Sequence, residues 1–477
     1  MKSNENFLSG LLKFAIGPLG GALIGFLIIP ITTWLVSPEE FGKSTMFTLA
    51  QTLTTSFLYL GMDHAYAREY NEYEDKKKVL FNALLLPLIL ACIISLISLI
   101  FSKEIGKIFF DTDSRMVVYI YALWVPFVAI ENLLLLNIRM KERGLAFSVF
   151  NILLRLNVMI LTIVLLTFWS KSYIAIILAT VLGQIIVDIV LIIYSRKELV
   201  FHRTYFDKNL IDKMLKFGLP WIPATIIGWA LISSDRIFLE KYTNYEQVGI
   251  YFAAMKIIGI LGVIQSIFIS YWSPVSYRWH KEGVEKEKFT MVSHFLMFFM
   301  ALLFLGVLLC KDVFIMILSP EYSQAAMIVP FLLFYPIMNT VSNTTALGIP
   351  FSRKTQYNIW ISTIAAVCNI ALNILLIPSF GAVGAAVATG ISYIIFFWIR
   401  TLISRKLWYL FDLGYYFVTI IILLIGATLN VLFNGIFIYI INVSLICIIL
   451  LYNHKLIKLI FNKINELKNK KIKLKMH

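Results

Sequence analysis

Apolar runs of about twenty residues recur along almost the whole chain, and that recurrence leaves little choice of fold. In hydrocarbon a backbone N–H or C=O without an internal partner is costly, so a run of this length has to be helical, and a helix of that length crosses ~30 Å of bilayer. Fourteen such segments are read, at 10–36, 44–62, 79–102, 116–138, 146–169, 173–195, 217–239, 247–272, 290–310, 323–347, 357–378, 382–404, 413–433 and 436–452. The expected fold is therefore all-α, a polytopic integral membrane protein with about fourteen transmembrane helices. Composition agrees: 60% of the 477 residues are hydrophobic, 14% are charged, and the mean hydropathy is +0.83, too apolar for a soluble domain. The first run is too long for a cleavable signal and lacks a small-residue cleavage site.

Lysine and arginine placement orients these segments. The N-terminus, the connections after even-numbered segments and the tail hold 31 of them, counting Arg400 near the end of the twelfth segment with the connection that follows it, and the connections after odd-numbered segments hold 7. Both termini are thus expected in the cytoplasm, and most of the +15 net charge is topology, with no nucleic-acid partner implied. Lys13, Arg155, Arg236 and Lys256 remain inside spans. The lysine-rich tail from Lys455 to Lys475 is expected to lie as a basic helix on anionic membrane lipids.

The chain repeats itself. Lys13-Phe14 matches Lys216-Phe217, Glu39-Glu40-Phe41-Gly42 matches Glu246-Gln247-Val248-Gly249, and Asn151-Ile152 matches Asn358-Ile359, at offsets of 203, 207 and 207. Two pseudo-symmetric six-helix bundles are expected, 1–200 and 201–407, followed by two extra helices and the tail at 408–477. Same-orientation repeats six spans apart imply an axis along the membrane normal and a substrate site near the midplane.

Chemistry-bearing motifs are sparse. Phe41-Gly42-Lys43-Ser44-Thr45 resembles a phosphate loop but has Ser37 where the upstream glycine belongs. The six histidines have no metal-ligand spacing, so neither an enzyme, a cofactor nor a metal is expected. Intramembrane polar groups are plentiful instead, and such groups mark substrate or ion paths. Asn358, Ser362, Asn369 and Asn373 share one face of the eleventh segment, and Asn151 with Arg155 forms the matching stripe in the fifth. Asp63, Glu131, Asp188 and Asp235 are candidates for ion or proton coupling. Pro220 and Pro223 should kink or interrupt the start of the seventh segment, and Pro18 and Pro30 weaken the first; these are candidate hinges or gates.

The run Lys216-Phe217-Gly218-Leu219-Pro220-Trp221-Ile222-Pro223, a helix ending Ser234-Asp235-Arg236, and Val248 to Ile257 resemble the second-half opening of Wzx-type polysaccharide repeat-unit flippases. Asn369 to Gly390 is similar to that family's eleventh and twelfth spans, and Val36-Ser37-Pro38-Glu39-Glu40-Phe41-Gly42 to its first turn. The wider group is the multidrug/oligosaccharidyl-lipid/polysaccharide exporter superfamily. The resemblance implies a transporter in the bacterial cytoplasmic membrane that carries undecaprenyl-pyrophosphate-linked oligosaccharide, for O-antigen or capsule, from the inner to the outer leaflet. A polysaccharide polymerase is an implied partner, and a monomer is expected because two bundles already suffice to enclose a cavity. Lys13, Arg155, Lys256 and Arg236 are the candidate cations for an anionic head group. A cation-coupled multidrug exporter and a lipid-linked peptidoglycan precursor flippase of the same fold are the alternatives.

Overall fold

A computed structural model describes residues 2–110, 115–200, 202–354, 356–433 and 435–458, with side chains described from residue 19 and not at 108–114. Among the described residues every regular element is a helix. In chain order these are α1 (Lys2–Leu35), α2 (Pro38–Leu58), α3 (Met62–Glu69), α4 (Lys76–Ile100), α5 (Ser102–Phe110), α6 (Arg115–Met140), α7 (Gly144–Phe168), α8 (Tyr173–Tyr194), α9 (Lys208–Gly218) and α10 (Trp221–Tyr242). They continue with α11 (Tyr245–Lys281), α12 (Lys286–Leu309), α13 (Lys311–Met316), α14 (Ala325–Leu332), α15 (Phe334–Thr345), α16 (Gly348–Phe351), α17 (Gln356–Leu407), α18 (Gly414–Leu432) and α19 (Ile436–Tyr452). Ten helical stretches among the described residues are long and apolar enough to cross a membrane. The chain is a polytopic, all-α membrane protein.

The prolines act unequally. Helix stops at Gly218 and restarts at Trp221, with Pro220 at the N-cap and Pro223 in the first turn of α10, where a missing N–H costs nothing. By contrast α1 runs unbroken through Pro18 and Pro30, and α11 absorbs Pro274 and extends to Lys281, beyond the expected 272. The expected tenth segment is two helices, α14 and α15, meeting at Leu333 with Pro330 and Pro336 on either side. Within α17 the backbone reverses at Gly381 (φ 54°, ψ −133°), a left-handed position open to glycine. The Ala382 N–H there donates to the Gln247 amide oxygen at 3.1 Å. The expected basic tail helix falls largely at 459–477, outside the described residues.

The chain forms two compact units. The first is Met1–Ile260 with Leu318–Tyr322 and Ile370–Ala385. Its core packs Met62, Tyr66, Leu80, Leu133 and Leu134 against Leu210 and Met214 from α9. Each such side chain taken from water contributes about 1.5–3 kcal/mol, so α9, between the two sequence repeats, is docked on the first half. Asp207 caps α9 through the Leu210 N–H at 3.1 Å and meets the Lys78 ammonium at 2.8 Å. That lysine, with the backbone N–H groups of α9, holds the Asp207 carboxyl below its ordinary range. Lys213 reaches Glu69 at 2.5 Å.

The second unit is Leu261–Ile317, Ser323–Asn369 and Ala386–His477. Small hydroxyls and amides join its helices, as expected where lipid gives apolar faces no reason to associate. Tyr416 donates to Ser293 at 2.6 Å, Ser293 and Thr344 share a hydrogen bond of 2.8 Å, and Thr345 meets Thr401 at 2.7 Å. Asn430 and Asn442 exchange amide hydrogen bonds at 2.7 and 3.3 Å, locking α18 to α19.

Candidate functional site

Three intramembrane cations converge in the first unit. Arg155 projects from α7 over Gly21 of α1, where a Cβ would lie 3.5 Å from the arginine Cγ. Lys256 lies on α11 and Arg236 on α10, and the charges of Arg155 and Arg236 both act on Lys256. The ring of Phe252 is shared: the Arg236 guanidinium carbon lies 4.7 Å from its centroid and the Lys256 Nζ 4.9 Å. A cation–π contact contributes about 0.5–2 kcal/mol, and it steadies a cation without consuming its N–H donors. Those donors remain available. Arg236 is buried, its Nη1 has no acceptor, and no ion pair among the described residues uses Arg155, Arg236 or Lys256.

Asp235 adjoins Arg236 in sequence and its charge acts on it, but the two form no ion pair. On a helix, neighbouring residues point about 100° apart, and the buried Asp235 carboxylate accepts from the Tyr251 hydroxyl and from the Asn373 amide at 2.6 Å. Asn369, one turn before Asn373, is equally buried and donates to Thr389 at 3.4 Å. The lower part of the eleventh-segment stripe therefore faces protein, while Asn358 and Ser362 are half-buried further up the same helix.

Glu131 of α6 and Asp188 of α8 are brought together. Glu131 accepts from the Gln184 amide, whose oxygen accepts from the Trp124 indole N–H at 2.7 Å. Asp188 is fully buried, and the group that acts on its carboxyl is the Glu131 carboxyl. Arg155 is the cation whose charge reaches Glu131. Asp63 and Asn151 meet in a different place, a pocket of about 310 Å³ that His64 and Arg139 also line. His64 stacks on Trp221 at 4.5 Å, beside the break before α10. The Lys13 and Pro18 side chains fall outside the described residues.

Sequence reasoning missed two features. Arg139, just past the fourth expected segment, and Arg400, within the last turns of the twelfth, both count with the loop charges, yet both line pockets. Aromatic spacing held the other signal: Phe252 lies one helical turn before Lys256, the spacing at which a ring and a cation share a face.

Comparisons with known proteins follow this geometry. A family model described as polysaccharide biosynthesis protein matches residues 8–280, more than half of the chain. The probable low-salt glycan biosynthesis flippase Agl15 of Haloferax volcanii is 24% identical over 193 residues, 40% of this chain and 38% of that protein. The match thus spans well under two thirds of that relative's length. Among solved structures, the lipid II flippase MurJ in an inward closed conformation aligns with a TM-score of 0.72 at 17% identity, covering 93% of this chain and 99% of that one. A MATE protein in its straight conformation aligns with a TM-score of 0.55 at 15% identity over 83% and 94% of the two chains. A transporter of the MOP superfamily from Pyrococcus furiosus, described as having a binding pocket of reversed polarity, gives 0.58 at 13% identity over 83% and 95%. These likenesses establish the shared fold. By the family match across residues 8–280, the chain belongs to the polysaccharide biosynthesis protein family.

Proposed function

We propose that this protein is a flippase for undecaprenyl-pyrophosphate-linked polysaccharide repeat units, moving them from the cytoplasmic to the outer leaflet of the bacterial inner membrane by alternating access. The observation that carries the reading is the sharing of Phe252 by Arg236 and Lys256, with Arg155 close enough for its charge to act on Lys256 and with an orphaned guanidinium donor on Arg236, inside a chain of this family. A pyrophosphate entering a low-dielectric passage needs fixed positive charge and many N–H donors, and arginine and lysine supply both. Lys13, on α1 alongside α7, would add a fourth cation. Asn151, Asn358, Ser362, Asn369 and Asn373 would line the polar route. Pro220 and Pro223, at the break before α10, would form the hinge, with Pro18 and Pro30 weakening α1. Such motions move groups of helices as bodies, here the bundles 1–200 and 201–407, with 408–477 outside them.

Coupling is assigned to Glu131 and Asp188. Two carboxyls held together away from water cannot both be ionised, so such a pair takes up and releases a proton or a cation. Asp63 is placed in its own pocket and Asp235 is held by Tyr251 and Asn373, which makes them less mobile carriers. In vesicles containing the purified protein, a fluorescent lipid-linked oligosaccharide should reach the opposite leaflet faster than in empty vesicles. An imposed proton gradient should change that rate, and Asp188→Asn should remove the change. A rate equal to that of empty vesicles would sink the reading, and a gradient effect surviving Asp188→Asn would move coupling elsewhere. The rival cargo of a peptidoglycan precursor, suggested by the likeness to a lipid II flippase, is decided in the same vesicles by offering both lipids.

Topology is a separate expectation. Fourteen spans with the lysine-rich connections inside put both termini in the cytoplasm. A phosphatase reporter fused after His477 should be silent, and an active one would make the span count wrong by an odd number.

A further inference from the structure

The second unit contains a small pocket of about 110 Å³ that the transport reading leaves unused. Trp272, Ser273, Ser276 and Tyr277 of α11 line it, with Asn343 of α15 and Arg400 of α17. Arg400 donates to Ser342 at 2.8 Å and Asn343 at 3.5 Å, which fixes its guanidinium. Its Nε has no acceptor, and no carboxylate among the described residues pairs with it. Trp272 is buried, and its indole N–H is equally without an acceptor. Two orphaned donors, one of them charged, thus sit in the wall of one cavity. Buried donors are rarely left unsatisfied, and a buried cation without a counter-ion is more costly still.

Size and depth narrow what would satisfy them. The pocket has room for a small polar group such as a phosphate. Arg400 lies seven residues before the end of α17 at Leu407, about 10 Å along the helix. That end is the basic one: α11 closes with Arg278, His280 and Lys281, and α17 with Arg405 and Lys406. The pocket is therefore at the depth of lipid head groups on the basic face. Phosphate oxygens match both donors, and the Ser273 and Tyr277 hydroxyls add further ones.

We propose that the Arg400 pocket binds the phosphate of a lipid head group on the basic side of the membrane. A resident phospholipid would occupy it whether or not the chain flips any cargo, so the inference stands apart from the transport reading. The phosphate has two possible sources, a bulk anionic phospholipid or the carrier lipid. Native mass spectrometry of the full-length, detergent-purified protein with dioleoyl phosphatidylglycerol, undecaprenyl phosphate or phosphate-free dioleoylglycerol separates them.

The wild type is expected to retain one phosphate-bearing lipid, and Arg400→Gln to lose it roughly tenfold, the scale of one charge-assisted hydrogen bond. Arg400→Lys should keep part of the binding. Ser273 is exposed on the pocket rim, so Ser273→Leu narrows the pocket without touching the fold or Arg400, and it should reproduce the loss. Loss confined to phosphatidylglycerol assigns a resident phospholipid; loss of undecaprenyl phosphate assigns the carrier. Equal retention of dioleoylglycerol, or phosphate-lipid binding untouched by Arg400→Gln or by Ser273→Leu, overturns the proposal.

Discussion

Cells that depend on this protein and carry Arg155→Ala together with Lys256→Ala are expected to lose surface polysaccharide at least about a hundredfold, because each charge-assisted contact to a pyrophosphate is worth about 1.5–3 kcal/mol. Either single change should cost less, since on the proposed reading Arg236 and the remaining cation would still be there to meet the head group. Charge-preserving swaps, Arg155→Lys and Lys256→Arg, should retain part of the export. A purely structural role predicts another pattern. Both side chains are exposed and neither is in an ion pair, so alanine there should leave protein abundance near wild type. Full export by the double variant at matched abundance would place the anionic head group elsewhere. Low abundance of the double variant, rescued along with export by the charge-preserving swaps, would make the charges part of the fold.

The second large effect is expected at Gly42 and Gly249. These two residues occupy equivalent places in the sequence repeat, 207 apart, and the first unit brings them into direct contact. A Cβ on Gly42 would fall 1.8 Å from the Tyr245 carbonyl oxygen, and one on Gly249 would fall 1.9 Å from that of Pro38. The contact is reciprocal, since Pro38 and Tyr245 are themselves 207 apart, as a pseudo-two-fold axis between the repeats requires. Backbone oxygens cannot move aside as a flexible side chain would, so Gly42→Val or Gly249→Val must push α2 and α11 apart. Overpacking of this kind costs about 1–3 kcal/mol. If α2 and α11 form a gate at the end away from the lysine-rich connections, that cost falls on the closed state alone. Export should then drop about five- to a hundredfold, with the cysteine Gly249→Cys newly open to a membrane-impermeant maleimide. Unchanged export in both valine variants would show that the contact is not needed for the cycle.

Much of this was legible in the sequence because it is local. The break before α10 follows from Pro220 and Pro223. Proline chemistry was nevertheless an incomplete guide: the same residue that caps α10 at Pro220 is carried inside α11 at Pro274, where the rest of a 37-residue helix holds its geometry. The repeat signal at Gly42 and Gly249 was also legible, but as a resemblance between distant segments and not as a contact.

Hydropathy over twenty-residue windows and the demand for internal backbone hydrogen bonds determined on their own that this chain is a bundle of membrane helices, and the two fix which ionisable groups lie at depth. Partnership among those groups was decided only by the tertiary structure. Asp235 adjoins Arg236 in sequence yet binds Asn373, 138 residues away, while Arg236 and Lys256 share Phe252. Glu131 finds Asp188 across two helices, and Arg400 shares a pocket wall with Trp272. Helix formation depends on a residue and its neighbours within one turn, whereas the face a side chain presents, and what meets it, depends on how helices far apart in sequence rotate and cross.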